Sequence, residues 1–317
     1  LFGEVCIIQQ YIPRMQDVKY AQLLHNPKAG DGDHMKEDLI ETIASCGFSC
    51  RYASTKIKGW DRLKNKTMLV VIAGGDGTVR QVLKRLLRRR ILDKQLTIAL
   101  LPAGTANNFA KTLGIPMTLS GLKRAITGWQ VRKIDIGAIS NLPDVKFFLE
   151  GMGYGLLPRL IKEMKTVDLS GVKTADEELT LALDKLIEIA QQYEPKHGIL
   201  TIDDTRYEGS YLLVEVLNIQ SVGPNVILAP KADPADGKFH VALLKEADRE
   251  AFIDYLRHLH HPRPRRQKVP WQLVEVNRSL TMRCDNRLLH VDDELVSLKK
   301  AQLVRVEIRP GIVDVIV

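Results

Sequence analysis

The sequence predicts a doubly wound α/β domain followed by a mainly antiparallel β domain. Three observations carry this. Strands and helices alternate through residues 1–128. Two segments, Met68 to Ala73 and Leu96 to Leu101, are near-continuous apolar runs, as parallel strands buried on both faces require. Beyond them, short strands follow one another between turn signals, the pattern of an antiparallel sandwich or barrel.

In order, Tyr20 to His25 reads as a strand entering the turn Asn26-Pro27-Lys28-Ala29-Gly30. A helix follows with Met35, Leu39, Ile43 and Ala44 on one face, and Gly47 stops it. Phe48 to Ala53 alternates as a second strand. The run to Ala73 feeds Gly74-Gly75-Asp76-Gly77-Thr78 and a helix with Val79, Val82, Leu83, Leu86 and Leu87 on one side. Arg80, Lys84, Arg85 and Arg88 to Arg90 fall mostly on the other side, and Lys84 to Arg90 is expected to be a solvated face. The strand ending at Leu101 opens into Pro102-Ala103-Gly104-Thr105-Ala106-Asn107-Asn108-Phe109-Ala110-Lys111, a short helix start.

With the boundary near Gly128, the domains are 1–128 and 129–317, and the last strand is a candidate to return to the first domain. Strands are expected at Val131 to Ile139, Val145 to Leu149, Gly198 to Ile202, Tyr207 to Leu217, Phe239 to Leu244, Gln272 to Asn277, Ser279 to Cys284, Leu288 to Val291, Gln302 to Ile308 and Ile312 to Val317. Helices are expected at Glu177 to Tyr193 and Arg249 to His260.

The 317 residues, 45% hydrophobic and 26% charged, exclude a disordered or fibrous chain. No run reaches the roughly 20 apolar residues of a membrane helix. A formal charge of +8 favours an anionic partner. Cys6, Cys46, Cys50 and Cys284 lack zinc spacing and are too few for a disulfide scaffold, so reduced thiols and a cytoplasmic location are expected. The first residues lack a basic start and a small-residue cleavage site. They also lack an initiating Met, which leaves room for a trimmed start.

Glycines at a strand-to-helix turn let backbone approach a ligand, and the free N–H groups of a helix start attract phosphate. Asp76 is the odd member, because a carboxylate beside phosphate needs a metal or a hydrogen-bond network. Without a ligand, Asp76 or Thr78 would be a plain helix cap. Three polar turns after parallel strands lie where open α/β sheets bind ligands.

NPKAG, GGDGT and LPAGTANNFA, in this order, resemble the diacylglycerol kinase catalytic family, which includes bacterial lipid kinases and sphingosine kinases. The similarity continues through Ile134-Asp135-Ile136-Gly137 and Leu228-Ala229-Pro230-Lys231-Ala232 to Val291-Asp292-Asp293-Glu294. It implies a C-terminal β-sandwich, ATP and Mg²⁺, and a lipid hydroxyl as acceptor. It implies nucleotide contacts at Asn26, Lys28, Gly74, Gly75, Asp76, Gly77, Thr78, Gly104, Thr105 and Asn107. Asp76 and Asp135 would join a water-linked metal network. Asp292 would be the catalytic base, assisted by Glu294, with Asp76 also catalytic. Asn108, Arg80, Gln81, Glu150 and Asp293 depart from the family pattern, which has Asp-Gly-Glu at 292–294.

His258 to Arg266, with Leu256, Leu259 and Trp271, is a candidate contact with an anionic membrane surface. Nucleic acid is not expected, for want of a reader motif. A homodimer stays open. An NAD kinase-like enzyme and a non-catalytic nucleotide- or lipid-binding regulator are the alternatives to the lipid kinase.

Overall fold

The computed structural model describes residues 18–29, 35–64, 66–88, 96–260, 269–284 and 287–317. Element order is β1 (Lys19–His25), α1 (Lys36–Ser45), β2 (Phe48–Ser54), β3 (Thr67–Gly74), α2 (Asp76–Arg88), β4 (Thr97–Pro102), α3 (Asn108–Thr112), α4 (Leu119–Gly128), β5 (Val131–Ser140), β6 (Phe147–Phe148) and β7 (Gly151–Gly155). There follow α5 (Leu156–Met164), α6 (Ala175–Gln192), β8 (Lys196–Ile202), β9 (Thr205–Leu217), β10 (Ser221–Val222), β11 (Val226–Ile227) and β12 (Phe239–Lys245). The chain ends with α7 (Arg249–Leu259), β13 (Gln272–Val276), β14 (Ser279–Cys284), β15 (Leu288–Val291), β16 (Glu294–Ser297) and β17 (Val304–Ile316).

The N-terminal strands lie parallel in the order β2-β1-β3-β4. One face buries Leu39 and Ile43 of α1 and Leu122 and Ile126 of α4. The other buries Val79, Val82 and Leu83 of α2 and Phe109 of α3. Both faces are covered, so every residue of β4 is buried and the strand needs no polar alternation. Met35 does not join the α1 face: it is the helix N-cap and 64% exposed.

β17 runs parallel to β4 through Asp314 and Val315 while pairing antiparallel with β5. The two sequence-read strands at the C-terminus are this one strand, broken in register between Arg309 and Val313. The antiparallel half is a sandwich-like layer. In β9 and β12, Val214, Val216, Val241 and Leu243 face one core, and Leu213, Leu217, Ala242 and Leu244 face another under α5, α6 and α7. α6 begins with a capping box between Thr174 and Glu177.

That second core corrects one expectation. Leu256 is fully buried and Trp271 is 5% exposed, packed edge-on against Phe252 and Tyr255 with its indole N–H donating to the Leu228 carbonyl at 2.9 Å. Burying both and satisfying the indole leaves neither for a lipid surface; Leu259 is partly buried against the same core. Residues 261–268 of the basic loop lie outside the described residues.

Candidate functional site

The C-terminal ends of β1, β3 and β4 are neighbours in the sheet, so the three turns that follow them converge. The Asn26 amide donates to Thr78 Oγ1 at 3.1 Å, and Ala103 N–H to the Gly74 carbonyl at 3.1 Å. Lys28 N–H donates to Asn26 Oδ1 at 3.2 Å. A Cβ on Gly75 would stand 2.8 Å from Gly104 Cα, and one on Gly104 only 2.4 Å from Gly75 Cα. These two glycines let the second and third turns touch backbone to backbone, a packing role that the sequence does not announce. A Cβ on Gly74 would meet Thr78 Oγ1 at 2.7 Å, and one on Gly77 would face Asp293 Oδ2 at 3.3 Å.

Asp76 caps the neighbouring helix. Its carboxylate accepts from the N–H groups of Asn108 at 2.8 Å and Phe109 at 3.3 Å, in the first turn of α3. Burial, reinforced by the charge of Asp293, pushes its pKa up to about 6. Asn107 is left-handed at φ 52°. Its side chain accepts from Gly104 N–H at 2.9 Å and donates to the Gly104 carbonyl at 2.6 Å. The amide expected on nucleotide is therefore spent on its own loop. Thr105 donates to Glu178 Oε2 at 2.9 Å, tying the third turn to α6. Lys28, Thr105, Lys173, Thr174 and Glu178 border a cavity of about 320 Å³ there.

The acidic turn sits across from α2. β15 and β16 form a hairpin in which Val291 pairs with Glu294, so Asp292 and Asp293 are its two turn residues, Asp292 at φ 51°. The Asp292 side chain is 1% exposed. Oδ1 accepts from the N–H groups of Leu149, Glu150 and Gly151 at 3.1, 2.8 and 3.2 Å, and Oδ2 from Arg80 Nε at 2.6 Å. Arg80 also meets Glu294 Oε1 at 2.7 Å, and Lys84 reaches the same oxygen at 2.9 Å. Burial opposes ionisation of Glu294, yet the Lys84 and Arg80 hydrogen bonds hold its carboxyl below the usual range. Arg80 itself is buried, 5% exposed.

Beneath the hairpin, His290 of β15 and Glu215 of β9 flank β7 and are both opposite Gly153. A Cβ on Gly153 would clash with Glu215 Oε2 at 2.2 Å, so the glycine opens the gap through which they meet at 2.8 Å. The carbonyl of Asp292 can only accept, so His290 Nδ1 carries a proton and donates to it at 2.7 Å. Burial opposes charging His290, but the Glu215 charge and hydrogen bond hold its pKa above the ordinary histidine value. Burial raises Glu215 as well.

Asp135 is engaged elsewhere. Its oxygens accept from Gly237 N–H at 2.7 Å and Gly311 N–H at 2.8 Å, clamping the turn before β12 and the break in β17. Burial raises its pKa, and the charges it feels are Asp236 and Asp233. It does not fit the expected metal network with Asp76. Among the described residues no group of three His, Cys, Asp or Glu side chains is arranged to hold an ion. The described residues therefore do not form a protein cage for a magnesium ion.

Sequence reasoning missed Arg80, Lys84, Asp293, Glu150 and the Glu215–His290 pair. Each pairing spans distant segments. The only signal was that Arg80, Glu150 and Asp293 stand where the resembled family differs. Buried Glu150 has its pKa raised well above normal by desolvation and by Asp76, Asp293 and Asp292.

Comparison with known proteins bears on these features. A family profile described as the diacylglycerol kinase catalytic domain matches residues 21–139, and one described as the YegS C-terminal NAD kinase beta sandwich-like domain matches residues 167–317. A diacylglycerol kinase of Bacillus subtilis (strain 168) is 28% identical over 74% of this chain and 77% of its own length. A "Probable lipid kinase YegS-like" of Pseudomonas aeruginosa (strain UCBPP-PA14) is 31% identical over 55% of this chain, and that match spans 54% of the relative. A crystal structure of a diacylglycerol kinase from Bacillus anthracis str. Sterne superposes with TM-score 0.68 at 19% identity, over 95% of this chain and 97% of that one. A further crystal structure from that organism gives 0.74 at 23% identity, over 95% and 98%.

Proposed function

Because this chain belongs to the diacylglycerol kinase catalytic-domain family, with a YegS-type C-terminal sandwich, we propose that it is an ATP-dependent lipid kinase. It moves the γ-phosphoryl of ATP, bound as its magnesium complex, to the hydroxyl of a lipid such as a diacylglycerol or a sphingoid base. The observation that carries the reading is the meeting of the glycine-rich turns with the acidic β15–β16 turn across α2, through Arg80 and Lys84.

In this reading the phosphates lie over Gly74 to Thr78, where α2 begins. Lys28 and Thr105 face them from the two flanking turns, and the α6 N-terminus closes the far side. Positioning and electrostatic stabilisation supply most of the catalysis in phosphoryl transfer. The rigid loop contact at Gly75 and Gly104 suits that task. The lipid enters from the second domain, beside Leu157, Leu160, Ile161 and Val222, which line a small apolar cavity next to the acidic turn. A lipid acceptor brings the protein to a membrane surface from the cytoplasm, and the +8 charge suits an anionic one. No helix among the described residues is long and apolar enough to cross a membrane.

Offering labelled ATP with diacylglycerol, sphingosine or NAD tests the reading. Transfer to a lipid supports it. Transfer to NAD alone would assign an NAD kinase. The engagement of Asp292 and Glu294 by Arg80 and Lys84 favours one second reading, a regulator that binds nucleotide without turnover; ATP binding with no transfer to any acceptor would select it.

A further inference from the structure

Three carboxylates share the β15–β16 turn, and two are already engaged. Asp292 accepts from three backbone N–H groups and from Arg80; Glu294 accepts from Arg80 and Lys84. A proton acceptor needs a lone pair open toward the incoming hydroxyl, and the donors already in place occupy those of Asp292 and Glu294.

Asp293 differs on each count. It is solvent-exposed and makes no hydrogen bond or ion pair with the described residues. Its Oδ2 stands 3.3 Å from where a Gly77 Cβ would lie, so it overhangs the glycine-rich turn at the start of α2. It borders both cavities beside the turn: one of about 40 Å³ with Leu157, Leu160, Ile161 and Val222 on one side and Glu150, His290 and Asp292 on the other, and one of about 360 Å³ walled by Gly77, Arg80 and Lys84. A molecule with an apolar body and a hydroxyl at its end would present that hydroxyl to Asp293 with its chain against the leucines.

The hairpin is also held still. The Asp292 carboxylate is anchored to the strand start at Leu149 to Gly151, and its carbonyl to the buried His290–Glu215 pair. A turn with its first residue fixed at both groups presents the next side chain in one place. Resting on the lipid-kinase reading, we propose that Asp293 accepts the proton of the lipid hydroxyl, and that Asp292 is a positioning residue that holds the turn. The hydroxyl oxygen forms its bond to the γ-phosphorus as its O–H bond breaks. The proton passes to an Asp293 carboxylate oxygen. The bond from the γ-phosphorus to the β,γ-bridging oxygen breaks, and ADP leaves with the electron pair. Asp293 returns the proton to water afterwards. Although the residue reaches solvent, desolvation of its carboxylate by the protein around it and the negative charge of Asp292 raise the Asp293 pKa, making it a stronger base than an ordinary aspartate.

The discriminating variant is Asp293→Gly, which writes the family's Asp-Gly-Glu string into this chain. Full-length wild type, Asp293→Gly, Asp293→Asn and Asp292→Asn are compared for label transfer from ATP into a total lipid extract, for ATP affinity by calorimetry, and for Tm. Asp293→Gly and Asp293→Asn should each lose on the order of 10²–10⁴-fold in kcat. ATP affinity and Tm should stay at wild-type values. Asp292→Asn should show its loss first as a lowered Tm. An Asp293→Gly protein that turns over within about threefold of wild type would overturn the assignment and return the proton to Asp292. A wild-type protein that binds ATP but labels no lipid would refute the lipid-kinase reading itself, and the role of Asp293 with it.

Discussion

Replacing Gly104 with Ala should force the second and third ligand-facing turns apart. The added Cβ would stand 2.4 Å from Gly75 Cα and 3.2 Å from Gly75 N, where ordinary contact begins at 3.4 Å. The obstacle is backbone, so no rotamer change relieves it. Gly75 is itself fixed, its carbonyl accepting from Thr78 N–H at 2.9 Å and Val79 N–H at 3.1 Å. The turns must separate by about 1 Å, at an overpacking cost of about 1–3 kcal/mol. For a chain of this size that lowers Tm by about 1.5–4.5 °C. A displacement of about 1 Å at a phosphoryl-transfer site costs roughly 10²-fold in turnover. Gly128→Ala is the control, because nothing lies within 4 Å of its added Cβ and its φ is not positive; it should stay within about 0.5 kcal/mol of wild type. Calorimetric melting and steady-state transfer read both effects. A Gly104→Ala protein with wild-type Tm and turnover would refute the claim that direct contact between these turns builds the site.

Arg80→Met leaves Asp292 buried without its cation and should cost about 3–5 kcal/mol, read from the urea midpoint. Adding Asp292→Asn should recover part of that loss; a double-variant loss equal to the sum of the two single losses would mean that the pair is not coupled. Raised folded-state pKa values at His290 and Glu215 mean that the native pair keeps protons the unfolded chain releases. Each contribution is fully present below that group's unfolded value and is lost as pH rises through its folded value, for Glu215 from about 4.3 upward and for His290 from about 6.5 upward. His290→Asn should flatten the fall of Tm with pH in that window, and an unchanged slope would assign it to other groups. Thr105→Val removes the hydrogen bond to Glu178 and should cost about 1 kcal/mol, with weaker ATP binding by calorimetry if α6 helps to close the nucleotide cavity.

Much of the architecture is legible in the sequence because burial on both faces leaves a mark. The runs at Val70 to Ala73 and Ile98 to Leu101 contain no polar residue to mislead. β7 was not legible. No element is assigned to residues 151–155 from the sequence, yet Gly151 and Gly153 clear space for Glu215, a buried acid on another strand. Pro310-Gly311 reads as a turn between two strands; in the fold Gly311 N–H donates to Asp135 and the strand continues through the irregularity. α4 went unread although Thr118 caps it and Leu122 and Ile126 face the core.

The site divides in the same way. Asp76, Thr78 and Asn26 could be found from local strings because their partners lie at strand ends brought together by the parallel sheet. Arg80 could not. On its own helix it is one cation among several, and it becomes buried only because Asp292, 212 positions later, descends onto it. The resemblance located the acidic turn but not the division of labour within it. That depends on which carboxylate meets donors and which is left facing the cleft.

The most direct test of the account is the partition of label from γ-labelled ATP between chloroform and water after incubation of the full-length protein with a total lipid extract. The account predicts chloroform-soluble label that increases with time and saturates with lipid. Label that remains wholly in the aqueous phase, in a protein that demonstrably binds ATP, would contradict it.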